Sequence, residues 1–128
     1  FGDRMLLFEL PFLSEPVMLL SMVFEMQTAG YKPVLAHPER YAFWHEGSDM
    51  PDKLKERGVL FQLNTIALGG HYGPQVRKAA ERYIDQGWYE LIGSDCHRMD
   101  HIMAIKDTLT SPHLHALIGS GRLRNASL

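Results

Sequence analysis

The sequence predicts an α/β protein assembled from parallel β–α units, and three features carry that expectation. Four short apolar runs alternate with helix-patterned or loop segments, as parallel strands alternate with their crossovers. The runs have the length of buried strands and are too short to be helices. Each ends in polar residues, and in a parallel sheet or barrel all carboxyl ends lie on one face, where sites are built.

The first run, "RMLLFEL" (Arg4 to Leu10), is closed by Pro11. The segment "SEPVMLLSMVFEMQTAG" reads as a helix, with Ser14 as N-cap, Pro16 in the first turn and Gly30 as the stop. Val17, Leu20, Met22, Val23 and Phe24 give it a broad apolar face. "KPVLAH" (Lys32 to His37) is the second strand, followed by the irregular "YAFWHEGSDM". Asp49 or Ser48 caps a short helix over Pro51 to Arg57, which Gly58 closes.

"VLFQLN" (Val59 to Asn64) is the third strand, and "TIALGGHYG" a glycine-rich connection. "PQVRKAAERYIDQG" (Pro74 to Gly87) is a clear helix, with Val76, Ala79, Ala80, Tyr83 and Ile84 along one side. "WYELIGSD" (Trp88 to Asp95) is the fourth strand. The tail predicts a helix to about Leu109, a break at Pro112 and a last short helix to about Ile118.

With 128 residues, 45% of them hydrophobic and 22% charged, the chain is one domain or part of one. A net charge of −2 leaves no basic footprint for nucleic acid or an anionic membrane. The lone Cys96 excludes an intrachain disulfide and fits a reducing compartment such as the cytoplasm. Glu9, Pro11, Ser14, Glu15 and Pro16 interrupt the most apolar stretch, so no membrane insertion is expected. Nor does that stretch have a signal peptide's basic start and small-residue cleavage site. The first residue is Phe1, so a fragment or processed product is one reading.

The strand ends bring chemistry together. Glu9, His37, Asp95 and His97 are two carboxylates and two imidazoles, a donor set suited to Zn²⁺, Mn²⁺ or Fe²⁺. In an extended segment Asp95 and His97 point the same way while Cys96 points elsewhere. Read alone, D-x-H also fits a capped turn with a surface histidine.

Arg40 has the planar fork for two phosphate oxygens, and a surface ion pair with Glu39 or Glu46 fits its spacing equally. Pro38 turns His37 away from the α region and helps end the strand there. His71 and Tyr72 either line the same mouth or are loop surface. "LGGHYG" lacks the GK[ST] ending of a P-loop. Cys96 has no evident base and reads as a buried structural thiol. His101, His113 and His115 read as solvated. Tyr41, Phe43 and Trp44 read as hydrophobic packing, with an aromatic wall for a substrate ring as the alternative.

In this order, "FELP", "PVLAHPERY" and "LIGSDCHRMDH" closely resemble the PHP (polymerase and histidinol phosphatase) superfamily, and most nearly its bacterial capsular-polysaccharide tyrosine-protein phosphatases of the CpsB/YwqE type. The resemblance covers essentially the whole chain. It implies a distorted (β/α)₇ TIM-like barrel, of which residues 1–128 form a single partial domain, the carboxyl-terminal half. It implies hydrolysis of phosphotyrosine with a divalent metal, manganese before iron or zinc, on a cognate bacterial tyrosine kinase controlling exopolysaccharide assembly.

By position, Glu9 resembles the bridging carboxylate, His37 the middle-strand metal ligand, and Asp95 and His97 the final ligand pair. Arg40 resembles the phosphate-gripping arginine, which makes Arg40 and His97 the catalytic candidates. Arg40, Arg98, His71 and Tyr72 are the substrate-binding candidates. The family's early ligands, an N-terminal HxH among them, lie upstream in relatives, so an incomplete metal cluster is expected. Relatives carry Arg five residues after the last ligand histidine, where this chain has Ile102, and Arg98 is the candidate replacement. The alternatives are a truncated, non-catalytic domain that self-associates through exposed strand edges, and a small-molecule phosphatase of the histidinol-phosphate kind.

Overall fold

The computed structural model describes residues 4–93, 109 and 111–125. Its strands β1 (Met5–Phe8), β2 (Lys32–Ala36), β3 (Leu60–Asn64) and β4 (Tyr89–Gly93) are all parallel. They form one sheet in the order β1-β2-β3-β4. Each strand lies beside its predecessor, so the described strands contain none of the order reversal that marks a doubly wound sheet.

Helices α1 (Leu19–Thr28), α2 (Met50–Glu56) and α3 (Pro74–Asp85) follow the first three strands in turn, and α4 (Pro112–Gly119) comes last. The core lies between sheet and helices. Leu35, Phe61 and Leu63 of the strands pack with Leu19, Val23, Leu54, Ala80 and Tyr83 of the helices. α3 buries Val76, Ala79, Ala80, Tyr83 and Ile84, the side its spacing predicts.

α1 departs from expectation. It starts at Leu19, its N-cap position is Met18, and Ser14 caps nothing there. Pro16 disfavours helical conformation at Glu15. The Glu15 carboxylate instead accepts a 2.6 Å hydrogen bond from Trp44 Nε1. The helix buries only Leu19 and Val23, and Val17, expected on its apolar face, lies outside it at 97% exposure. Met22 and Phe24 are also exposed.

The other helix ends follow local chemistry. Before α2, Ser48 Oγ accepts from Met50 N at 3.1 Å, while the Asp49 carboxylate reaches Lys53 at 3.3 Å. Ser111 caps α4 by accepting from Leu114 N, and Pro112 opens the helix. His113 is not simply solvated. It bridges α4 to α3, 3.0 Å from Glu81 and 3.5 Å from Asp85. The helix expected to end near Leu109 falls on residues outside those described.

The outer edge of β4 is covered. Asn125 exchanges two 2.9 Å hydrogen bonds with the Ile92 backbone, and Arg124 N donates to Glu90 O. β1 is the opposite edge of the sheet, and it has no outer strand partner among the described residues.

Candidate active site

A cleft of about 150 Å³ opens at the carboxyl ends of the strands. Leu7 and Glu9 line it from the end of β1, Ala36 and His37 from β2, Gln62 and Asn64 from β3, and Gly93 from β4. Far-separated residues therefore meet on one face, as a parallel sheet requires.

His37 is the pivot. Its N–H still donates to Gln62 O on β3 at 2.8 Å. Its backbone takes φ 39° and ψ 57°, so the strand stops at Ala36 and the chain turns sharply. Pro38 closes the right-handed helical region to its predecessor, and histidine is among the residues that tolerate the left-handed one. Such a conformation costs roughly 1–3 kcal/mol and persists only where surrounding contacts hold it.

Those contacts come from Glu39 and Tyr41. Glu39 is fully buried, which the alternative of a surface ion pair between Arg40 and Glu39 or Glu46 does not foresee for Glu39. Its Oε1 accepts from Asn64 N at 2.9 Å, and its Oε2 accepts from Tyr89 Oη–H at 2.7 Å. Burial pushes its carboxyl up to about 7, against the opposing pull of these donors. The turn is thereby fastened to the end of β3 and the start of β4.

Tyr41 fastens the other side. Its hydroxyl accepts from Leu10 N at 2.9 Å and donates to Ala36 O at 3.2 Å, joining the chain just beyond β1 to the end of β2. Desolvation raises it to about 12, so it stays protonated and can do both. Tyr41 and Trp44 are buried, as the packing reading predicts; the tie made by the Tyr41 hydroxyl is the addition.

These ties place Glu9 and His37 together. His37 Nε2 stands 3.3 Å from Glu9 Oε1. Burial, with the Arg40 charge adding, lowers the His37 pKa, and Glu9 pulls the other way. The imidazole is thus biased to its neutral, ligand-competent form. Its Nδ1 is buried and has no hydrogen-bond partner among the described residues.

Arg40 follows immediately. Its Cζ lies 4.0 Å from the centre of the Tyr72 ring and 4.8 Å from that of Phe12. Tyr72 is held by Asn64, whose Nδ2 donates to the phenol oxygen at 3.3 Å. His71 is exposed and meets Tyr72 edge-on at 4.9 Å, and it is not among the residues that line the cleft. Asp95, His97 and Arg98 lie outside the described residues, as do Cys96, His101 and Ile102.

Sequence reasoning missed three residues: Glu39, the hydroxyl role of Tyr41, and Phe12. Phe12 stacks on His37 with ring centres 5.5 Å apart and an interplanar angle of 24°.

The family model described as "Capsular polysaccharide synthesis, CpsB/CapC" matches residues 2–110. The chain belongs to the CpsB/CapC family. It is 35% identical over 95 residues to CapC of Staphylococcus aureus, and 29% identical over 96 residues to the tyrosine-protein phosphatase YwqE of Bacillus subtilis. These matches cover 74% and 75% of this chain but only 37% and 38% of the relatives.

The fold is similar to a solved structure from work on YwqE of Bacillus subtilis and CpsB of Streptococcus pneumoniae, described as metal-dependent tyrosine phosphatases. The TM-score is 0.74 at 26% identity, over 96% of this chain and 54% of that one. The chain thus spans about half of that structure and less than two fifths of the two curated relatives.

Proposed function

We propose that this CpsB/CapC chain is the carboxyl-terminal part of a metal-dependent phosphatase that removes phosphate from protein tyrosine residues, and that the Glu9–His37 cleft is its phosphate-transfer site. The carrying observation is the 3.3 Å approach of a neutral-biased imidazole and a carboxylate in a cleft at the strand ends.

The donor geometry fits a divalent ion. Two donors bonded to one ion at ~2.1 Å stand about 3.0 Å apart at a right angle and about 3.4 Å apart at the tetrahedral angle. The observed separation lies between those limits. Among the described residues no group of three His, Cys, Asp or Glu assembles around such a point. Asp95 and His97 are the proposed further ligands. They follow Gly93, which lines the cleft. Manganese is the proposed ion, with iron or zinc as substitutes.

Such an ion supplies positive charge against the phosphoryl oxygens and makes a nucleophile available at neutral pH. The chain's own part is positional. Glu9 and His37 hold the ion, with the Tyr41 hydroxyl bridging the strand ends that carry them. Arg40 donates its planar fork to two phosphoryl oxygens and stabilises the charge that develops there. Tyr72 supports Arg40 from one face, and His71 and Arg98 are proposed to contact the rest of the substrate.

The proposed complete fold is a distorted (β/α)₇ barrel to which residues 1–128 contribute one part. The sequential parallel order β1-β2-β3-β4 supports it. A tyrosine kinase of capsule assembly is the proposed substrate protein, acting in the cytoplasm. No helix among the described residues is long and apolar enough to cross a membrane. Self-association through the β1 edge is also proposed.

The test uses the full chain with Mn²⁺ and a phosphotyrosine peptide. Wild-type protein is expected to bind metal and turn over, and Glu9→Gln or His37→Ala to lower turnover by about a hundredfold or more with loss of metal. A wild-type chain that binds no metal and shows no turnover would support the non-catalytic partial domain instead.

A further inference from the structure

Phe12, a residue outside the sequence motifs, packs against the side chains of the turn after β2. Its ring stacks on His37, with centres 5.5 Å apart, and packs against Tyr41 at 5.6 Å. The Arg40 guanidinium carbon lies 4.8 Å from the same ring and 4.0 Å from Tyr72. Phe12 therefore touches both functional side chains of the turn, and Arg40 is in contact with aromatic rings from two different loops.

The geometry suits a spacer. A guanidinium laid on an aromatic ring keeps its N–H donors in its own plane, so stacking and phosphate binding do not compete. An imidazole likewise binds a cation through a lone pair in the ring plane, so a ring against its face leaves that nitrogen free to act.

We propose that Phe12 is a positioning residue that fixes the Arg40 guanidinium relative to His37, and so sets phosphate affinity. The proposal rests on the phosphatase reading above and adds to it a determinant on the loop after β1.

The test compares the full chain with Phe12→Leu and Phe12→Tyr. Four quantities are measured: Mn²⁺ content, melting temperature, the Kd for inorganic phosphate with Mn²⁺ present, and KM and kcat on a phosphotyrosine peptide. Phe12→Leu is expected to raise Kd and KM about tenfold, the size of effect a cation–π contact supports, with metal content and melting temperature as in wild type. Phe12→Tyr, which keeps the ring, is expected to restore both constants. In the metal-free chain, the Arg40 side-chain NMR signals are expected to lie upfield through the ring currents and to move downfield in Phe12→Leu.

Unchanged phosphate affinity in Phe12→Leu overturns the proposal. So does an affinity loss that appears only together with metal loss and early melting, or a Phe12→Tyr variant as weak as Phe12→Leu. Those results leave the phosphatase reading intact. A wild-type chain that neither binds phosphate nor turns over removes that reading, and the role of Phe12 with it.

Discussion

At the end of β2, the turn His37–Tyr41 is held from four directions. Glu39 reaches Asn64 and Tyr89, while Tyr41 reaches Leu10 and Ala36. A short distance along the chain the opposite holds. From Leu13 to Phe24, Leu13, Val17, Met18, Met22 and Phe24 face solvent, and Leu6 of edge strand β1 is exposed as well. One region buries a carboxylate, and the other exposes large apolar side chains. The contrast separates a site organised within this chain from a flank that offers its surface to something else.

The sharpest way to break the contrast is Glu39→Ala. It leaves Tyr89 Oη and Asn64 N buried without their acceptor and opens a void beneath the turn. A loss of about 3–5 kcal/mol is expected from the urea midpoint, since removing one member of a buried polar network leaves the rest uncompensated. A loss under about 1 kcal/mol would mean that the turn stands without this strut.

Glu39→Gln asks a subtler question. The carboxyl sits at about 7 in the fold against its ordinary 4.5, mainly through burial. The folded state therefore binds this proton more tightly than the unfolded chain does. That stabilisation is fully present below pH 4.5 and is lost as pH rises through about 7, amounting to about 3 kcal/mol in all. Glu39→Gln should flatten this part of the stability-against-pH curve measured between pH 4.5 and 8. An equal fall in wild type and variant would place the titration elsewhere.

Much of this was legible in the sequence, for reasons that also explain the rest. The four strands, α3 and α4 carry their signals locally, in apolar runs and Pro/Gly punctuation. Glu9 and His37 were recognisable as strand-end donors because strand direction alone brings them to one rim. The burial of Glu39 depends on Tyr89, 50 residues away, and on Asn64, 25 away, and no local pattern in P-E-R distinguishes it from a surface glutamate. Phe12 looks like any apolar residue after a proline. The contact between Glu15 and Trp44, 29 residues apart in the chain, is likewise invisible to periodicity.

Tyr41→Phe isolates one tie without emptying the core. The ring stays, while Leu10 N and Ala36 O lose their shared partner. About 1–2 kcal/mol of stability should be lost. Metal affinity should fall as well, because the strand ends carrying Glu9 and His37 are no longer joined. Calorimetric titration with Mn²⁺ reads that directly, and unchanged affinity would show that the backbone ladder suffices to hold the pair.

The smallest expected effect on stability lies on the exposed flank, and it carries the other half of the comparison. Leu13 is 98% exposed and Val17 97%, so neither contributes much burial to the fold. Replacing both with serine should change the unfolding free energy read from urea denaturation by less than about 0.5 kcal/mol. If this face and the β1 edge mediate self-association, the same double variant should sediment as a smaller species than wild type at equal concentration in analytical ultracentrifugation. Exposed apolar side chains beside an edge strand lower their contact with water by pairing with another surface, and removing two of them weakens that pairing without touching the turn. Identical sedimentation, with wild type monomeric throughout, would remove self-association and leave the flank as a surface for a different partner.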